Sequence, residues 1–69
     1  MKYQNKFKNN LKELRLENKM RQEELAKALG VSKGVISLWE NGVREPNMYS
    51  LILIAKYFNI SIDELIGIN

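Results

Sequence analysis

The feature that most constrains this fold is a three-residue connection, Gly30-Val31-Ser32, between two short segments with helical spacing. The first segment, residues 22–29, is expected to end at Gly30, because glycine suits the left-handed conformation that closes a helix. The second segment, residues 33–40, follows Ser32, a residue type that caps helix N-termini. A connection this short forces the helices to cross steeply, which predicts a helix-turn-helix.

Helical spacing also marks the rest of the chain, where no stretch alternates with period two for long enough to predict a strand. We predict a first helix over about Asn9 to Asn18, and a fourth from a cap at Asn47 to about Phe58. The run Ser61-Ile62-Asp63-Glu64 fits a capping box and predicts a fifth helix that ends near Ile66. The predicted fold is all-α, five short helices in a single domain over residues 1–69.

The residue composition argues against an enzyme. The 69 residues contain no cysteine and no histidine, which removes disulfides, thiolate nucleophiles, Ser-His-Asp triads and the usual zinc sites. Asp63 is the one aspartate, and the glutamates are scattered among lysines, so a carboxylate metal or acid–base site is not indicated. We predict a binding module with no cofactor and no small-molecule ligand.

Positive charge is concentrated at one end of the chain. Residues 1–19 hold six lysines and arginines against two glutamates, within a net charge of +3. Such a segment suits a nucleic acid or an anionic membrane, although a solvated lysine-rich tail explains it equally well.

The longest apolar run, Leu51 to Ala55, is too short to span a membrane, and residues 1–10 lack the apolar segment of a signal peptide. We expect a cytoplasmic protein with no membrane partner and with a basic arm over residues 1–8.

The segment RQEELAKALGVSKGVISLWENGVREP, residues 21–46, resembles the XRE-like helix-turn-helix family, which includes the lambdoid phage Cro and repressor domains. LKELR at 11–15 and SIDELIG at 61–67 extend the resemblance over nearly the whole chain. It implies a compact five-helix domain of the lambda-repressor type, with the helix-turn-helix at about residues 22–41. It also implies a transcriptional repressor that, as a homodimer, binds double-stranded operator DNA with an inverted repeat.

The resemblance makes helix three the recognition helix, and a helical wheel separates its two faces. Val35, Ile36 and Trp39 cluster on the side predicted to be core. The opposite side carries the candidate base contacts Lys33, Gly34, Ser37 and Leu38. Candidate contacts to the DNA backbone are Arg21, Gln22, Ser32, Asn41 and Arg44, of which Gln22 is implied by the resemblance. The resemblance further implies a buried ion pair between Arg15 and Glu40.

Several of these assignments have a plain structural alternative. Arg21, Asn41 and Arg44 could be solvated surface residues, and Leu38 could be packed. The groove face holds one charge, Lys33, and Arg21 stands where a capping Ser or Thr is preferred. The sparse groove face favours a second hypothesis, a protein-interaction module such as an antitoxin or adaptor that binds DNA weakly.

Helix four predicts an interface between two copies of the chain. We assign its core face to Met48, Leu51, Ile54, Ala55 and Phe58. On the other face Tyr49, Leu53 and Tyr57 recur every four residues, with Ile52 beside them. A small monomer rarely exposes such an apolar stripe, so we predict a homodimer interface there, joined by Ile66 and Ile68. The alternative is packing against helix one or five of the same chain.

Overall fold

The computed structural model describes residues 6–68, which form five α-helices and no β-strand in that range. The helices are α1 (Phe7–Glu17), α2 (Gln22–Leu29), α3 (Lys33–Glu40), α4 (Met48–Phe58) and α5 (Ile62–Ile66). α2 packs on α3, α1 contacts α3 and α5, and α4 contacts α5 and α2. Over the described range, none of the helices combines the length and the apolar character needed to cross a lipid bilayer. The predicted all-α, five-helix fold is confirmed.

Two residues produce the turn between α2 and α3. Gly30 closes α2 with a φ of +73°, a left-handed conformation that costs glycine little. Ser32 starts α3, because its side-chain oxygen accepts a hydrogen bond from the backbone N–H of Val35 at 3.2 Å. The two helices therefore meet across a short turn, as the sequence predicts.

α4 and α5 begin at the predicted caps. The Asn47 side-chain oxygen accepts a hydrogen bond from the backbone N–H of Ser50 at 2.8 Å. Ser61 and Glu64 form a capping box in which each side chain accepts the other residue's backbone N–H, at 3.0 Å in both directions. These local bonds explain why the bounds of both helices agree with the sequence prediction.

α1 begins at Phe7, earlier than the predicted start at Asn9. Phe7 is buried, and its ring meets Trp39 edge-on with ring centroids 6.2 Å apart. The backbone N–H of Lys6 also donates to the carbonyl oxygen of Ile66 at 2.8 Å, which ties the start of α1 to the end of α5. The predicted arm over residues 1–8 is therefore wrong for Phe7 and Lys8, which are helical, while residues 1–5 lie outside the described residues.

One hydrophobic core receives side chains from all five helices. Each large apolar side chain that is fully buried stabilises the fold by about 1.5–3 kcal/mol relative to exposure. α3 contributes Ile36 and Trp39, so the side of α3 opposite these two residues faces outward. The buried apolar residues are Phe7, Leu11, Leu25, Ala26, Leu29, Ile36, Trp39, Ile54, Ala55 and Leu65.

The structure corrects the assignment of the two faces of α4. Met48, predicted to be core, is 64% exposed, whereas Leu53, predicted to lie on an exposed stripe, packs against the core. Ile66 of the predicted interface also packs against the core. α4 contacts both α2 and α5, so more than one side of it is covered. Met48, the first residue of the helix, remains exposed.

Candidate nucleic-acid interface

The outward face of α3 gathers the four residues predicted to contact bases. Leu38 is 37% exposed, which favours the outward orientation over the packed alternative. An α-helix with its side chains is about 10–12 Å in diameter, and the major groove of DNA, about 12 Å wide, admits it. The four residues are Lys33, Gly34 and Leu38, which are exposed, and Ser37, which is half-buried.

A hydrogen bond links two polar residues on this surface. The Nδ2 of Asn41, the C-terminal capping residue of α3, donates to the Oγ of Ser37 at 3.3 Å. The Ser37 oxygen thus has a donor, and its hydroxyl proton is available for an acceptor outside the protein. The structure therefore joins Asn41, predicted to contact the DNA backbone, to a residue predicted to contact a base.

Gly34 is the second residue of α3, at a position where the described part of the chain would accept a side chain. A Cβ built on Gly34 meets only the Oγ of Ser32, at 3.8 Å, which is ordinary contact. A glycine inside a helix costs about 0.5–1 kcal/mol relative to alanine. Gly34 carries this cost on the exposed side of α3. Because it has no side chain, the helix backbone remains accessible there.

Arg21 precedes α2 in an extended conformation and interacts with Glu24. Its backbone N–H donates to the Glu24 carboxylate at 2.7 Å, and its guanidinium Nε lies 3.7 Å from the same carboxylate. Both side chains are exposed, so the ion pair contributes little to stability and Arg21 can exchange it for another anion. Glu24 thus accepts a hydrogen bond from one backbone N–H at the start of α2, where the side chain of Arg21 has no acceptor to offer.

A buried ion pair joins α1 to α3. The Nε of Arg15 donates to the Oε2 of Glu40 at 2.7 Å, and the Nη2 of Arg15 donates to the Oε1 of Glu40 at 3.0 Å. The Nη1 of Arg15 donates to the carbonyl oxygen of Met20 at 2.8 Å. The hydrogen bond to Glu40 and its negative charge raise the pKa of Arg15 above its usual value, and burial opposes them. The guanidinium therefore stays charged although only 8% of the residue is exposed.

Gln22, the first residue of α2, shares the same carboxylate. Its Nε2 donates to the Oε1 of Glu40 at 3.1 Å, so Glu40 binds side chains of both α1 and α2 from the end of α3. The sequence pointed to Gln22 as a phosphate contact but not to this bond. No periodicity connects residues on different helices, so only the assembled fold brings Gln22 and Glu40 together.

The loop after α3 carries one basic residue and lies against the side chain of another. Arg44 is exposed, and its backbone N–H donates to the carbonyl oxygen of Leu38 at 3.3 Å. Gly42 has a φ of +72°, and a Cβ there would lie 2.8 Å from the Cδ and 3.3 Å from the Nζ of Lys8. The lysine therefore reaches across from α1 to this loop. The sequence prediction put Lys8 in a terminal arm and missed this position.

Comparison with known proteins identifies the family. The model of the family described as helix-turn-helix matches residues 11–65. The chain belongs to the XRE-type helix-turn-helix family. The resemblance proposed from residues 21–46 is thereby confirmed, as is the expectation of a DNA-binding module that is not an enzyme.

The sequences of two relatives align with most of this chain. The HTH-type transcriptional activator BcrR of Enterococcus faecalis is 46% identical over 61 residues, which are 88% of this chain and 30% of that protein. The cryptic phage CTXphi transcriptional repressor RstR of Vibrio cholerae is 32% identical over 61 residues, which are 88% of this chain and 55% of the repressor. The chain thus spans less than two thirds of the length of either relative.

Solved structures share the fold. A transcriptional regulator from Listeria innocua has a TM-score of 0.90 and 33% identity, over 97% of this chain and 63% of that one. The P22 c2 repressor, solved in complex with the synthetic operator 9T, has a TM-score of 0.83 and 33% identity, over 91% of this chain and 96% of that one. The helix-turn-helix domain is therefore of the lambda-repressor-like type predicted.

Proposed function

We propose that this chain is a single domain, residues 1–69, that binds double-stranded DNA sequence-specifically and represses transcription from an inverted-repeat operator. The observation that supports this most is the outward face of α3, which is exposed while the helix is anchored by its buried side. The P22 c2 structure contains an operator, and RstR is a repressor. BcrR is an activator, so a promoter-reporter assay decides the direction of regulation. We also propose a cytoplasmic location, where the DNA of such bacterial relatives lies.

Direct reading of the bases is assigned to the outward face of α3. Lys33 can donate to guanine O6 and N7, the Ser37 hydroxyl can pair with several base edges, and Leu38 can touch a thymine methyl group. Gly34 supplies space for the DNA to approach the helix backbone. With one charge on this face, sequence preference arises from few contacts, and each of them matters.

Contacts to the DNA backbone are assigned to residues around the start of α2 and both ends of α3. Arg21 and Arg44 are exposed cations that precede α2 and follow α3 in the chain, and the side chain of Lys8 lies against Gly42 of the same loop. Phosphate contacts of this kind fix the orientation of the protein and are the same for every sequence. The remaining polar contributors are Gln22, Ser32 and Asn41.

Homodimer formation is assigned to the exposed side of α4. Met48, Tyr49 and Ile52 form an apolar patch there, and they are 64%, 72% and 40% exposed. A second copy is the proposed occupant, because an apolar patch can be buried against the same patch of another copy. A dimer also presents two recognition helices to an inverted repeat. Tyr57, also predicted for the interface, is 47% exposed, while the predicted Leu53 and Ile66 are partly buried against the core.

Ile52→Asp is expected to give a folded monomer at micromolar concentration, because a carboxylate at the centre of an apolar interface loses its hydration without a partner. Sedimentation velocity measures the change. Leu16→Asp is the matched control, since Leu16 is 54% exposed on a different helix, α1, and the variant should remain a dimer. If wild type and Ile52→Asp sediment alike as dimers, the interface lies elsewhere.

Gly34→Ala is expected to change stability and DNA binding in opposite directions. The added methyl group removes the helix penalty of glycine and should stabilise the free domain by about 0.5–1 kcal/mol. The same methyl group would stand between α3 and the bases and weaken binding to the preferred duplex. Urea unfolding and fluorescence anisotropy measure the two effects, and unchanged affinity would show that DNA does not approach this position.

The salt dependence of binding to random duplex DNA tests the proposed function. Each neutralised phosphate contributes about −0.9 to the slope of log K against log salt concentration, so about six contacts give a slope of roughly −5. A slope near zero would favour the second hypothesis, a protein-interaction module with weak DNA binding. This alternative is supported by the outward face of α3, which carries a single charge.

A further inference from the structure

We infer that Glu40 is a positioning residue that holds the side chain of Gln22 ready for a DNA phosphate. This inference rests on the proposed function and goes beyond it, because it assigns the buried ion pair a role in binding as well as in folding. The Glu40 carboxylate accepts three hydrogen bonds, two from Arg15 and one from Gln22, with only 3% of its side chain exposed. A carboxylate held at both oxygens by one guanidinium cannot rotate freely.

The three bonds do not depend on one another equally. The Oε1 of Glu40 accepts from Nη2 of Arg15 at 3.0 Å as well as from Nε2 of Gln22 at 3.1 Å. The ion pair would therefore keep a donor at each carboxylate oxygen without Gln22. Gln22, by contrast, makes no other side-chain hydrogen bond with the described residues. The glutamine depends on the pair more than the pair depends on the glutamine.

The position of Gln22 explains why this dependence matters for binding. Gln22 opens α2, and the first backbone N–H groups of a helix point outward and attract anions. Its Nε2 has a second hydrogen that no described residue uses, and the residue is half-buried rather than covered. Glutamine normally loses much rotamer freedom when it binds a ligand. Here Glu40 removes that freedom before the DNA arrives.

The inference is tested by replacing the whole pair with apolar residues, Arg15→Met with Glu40→Leu. Exchanging a buried ion pair for apolar residues of similar volume often keeps the fold, because no uncompensated charge remains. We expect this double variant to fold and to bind its preferred duplex about 5-fold more weakly, the equivalent of one typical hydrogen bond. Gln22→Ala alone should lose at least this factor, and Gln22→Ala should cost less affinity in the double variant than in wild type.

Arg21→Ala provides the matched control, because Arg21 pairs with Glu24 and not with Glu40. Its effect on affinity should be the same in wild type and in the double variant. A purely structural pair would instead let the double variant bind as wild type does, with Gln22→Ala equally harmful in both backgrounds, and that result overturns the inference alone. Wild type that binds no duplex overturns the proposed function as well.

A measurement on the unaltered domain covers the case in which the double variant does not fold. The NMR order parameter of the Gln22 side-chain amide in the free protein should exceed about 0.7, between the usual flexible and rigid limits. The side-chain amide of Asn9, exposed on α1, serves as the mobile reference. A Gln22 value below about 0.7 means that the amide is not held, and the inference is then wrong.

Discussion

Replacing Glu40 with alanine is expected to destabilise the domain by about 3–5 kcal/mol, because the guanidinium of Arg15 would remain buried without a counter-charge. Arg15 keeps only the Met20 carbonyl as a described partner, and Gln22 loses its acceptor. A small domain has a total stability at the low end of about 5–15 kcal/mol. The melting temperature should therefore fall by more than about 10 °C.

The control for Glu40→Ala is Glu13→Ala, which removes an exposed glutamate from α1. That change should stay within about 0.5 kcal/mol of wild type, as is usual for surface substitutions. Thermal unfolding followed by circular dichroism measures both variants. A Glu40→Ala domain that melts within one or two degrees of wild type would show that the pair does not hold α1 to α3.

Lys33→Ala and Arg44→Ala are expected to weaken DNA binding in different ways. Loss of a base contact should cost about 1–3 kcal/mol at one base pair and relax the preference there. Loss of a phosphate contact should weaken binding to all sequences alike and reduce the salt slope by about one unit. Selection of bound duplexes from a random library, followed by sequencing, distinguishes the two results.

The wild-type selection should enrich two inverted half-sites whose centres lie about one helical turn, ~34 Å, apart. Lys33→Ala should enrich a different sequence, and Arg44→Ala should enrich the wild-type sequence with lower affinity. If both variants enrich the wild-type sequence with equal loss of affinity, Lys33 is a backbone contact. The assignment of the groove-facing residues would then have to change.

The bounds of α2 to α5 could be predicted from the sequence because their signals are local. Ser32, Asn47 and Ser61 each accept a hydrogen bond from a backbone N–H three residues further on. Gly30 closes α2 with its own backbone N–H, which donates to carbonyl oxygens of the last turn. The start of α1 has no such signal. It is set by Phe7, which packs on a tryptophan from a helix far along the chain.

The faces of α4 could not be predicted from spacing, because apolar residues occur all around this helix. In MYSLILIAKYF only a serine and a lysine are clearly polar, too few to mark the exposed side. The neighbouring helices decide instead, which is why Met48 is exposed and Leu53 is covered. In the same way, the Arg15–Glu40 pair was available from the resemblance, whereas the bond from Gln22 required the folded arrangement.

The outward face of α3 is proposed to meet the DNA, and NMR titration of the 15N-labelled domain with its enriched duplex measures this contact residue by residue. We predict that the largest backbone amide shift changes fall on residues 33–38, with smaller ones at the start of α2 and in the loop that carries Arg44, while α5 stays unchanged. Shift changes that leave α3 unaffected and fall on α1 and α5 instead would show that α3 is not the recognition helix.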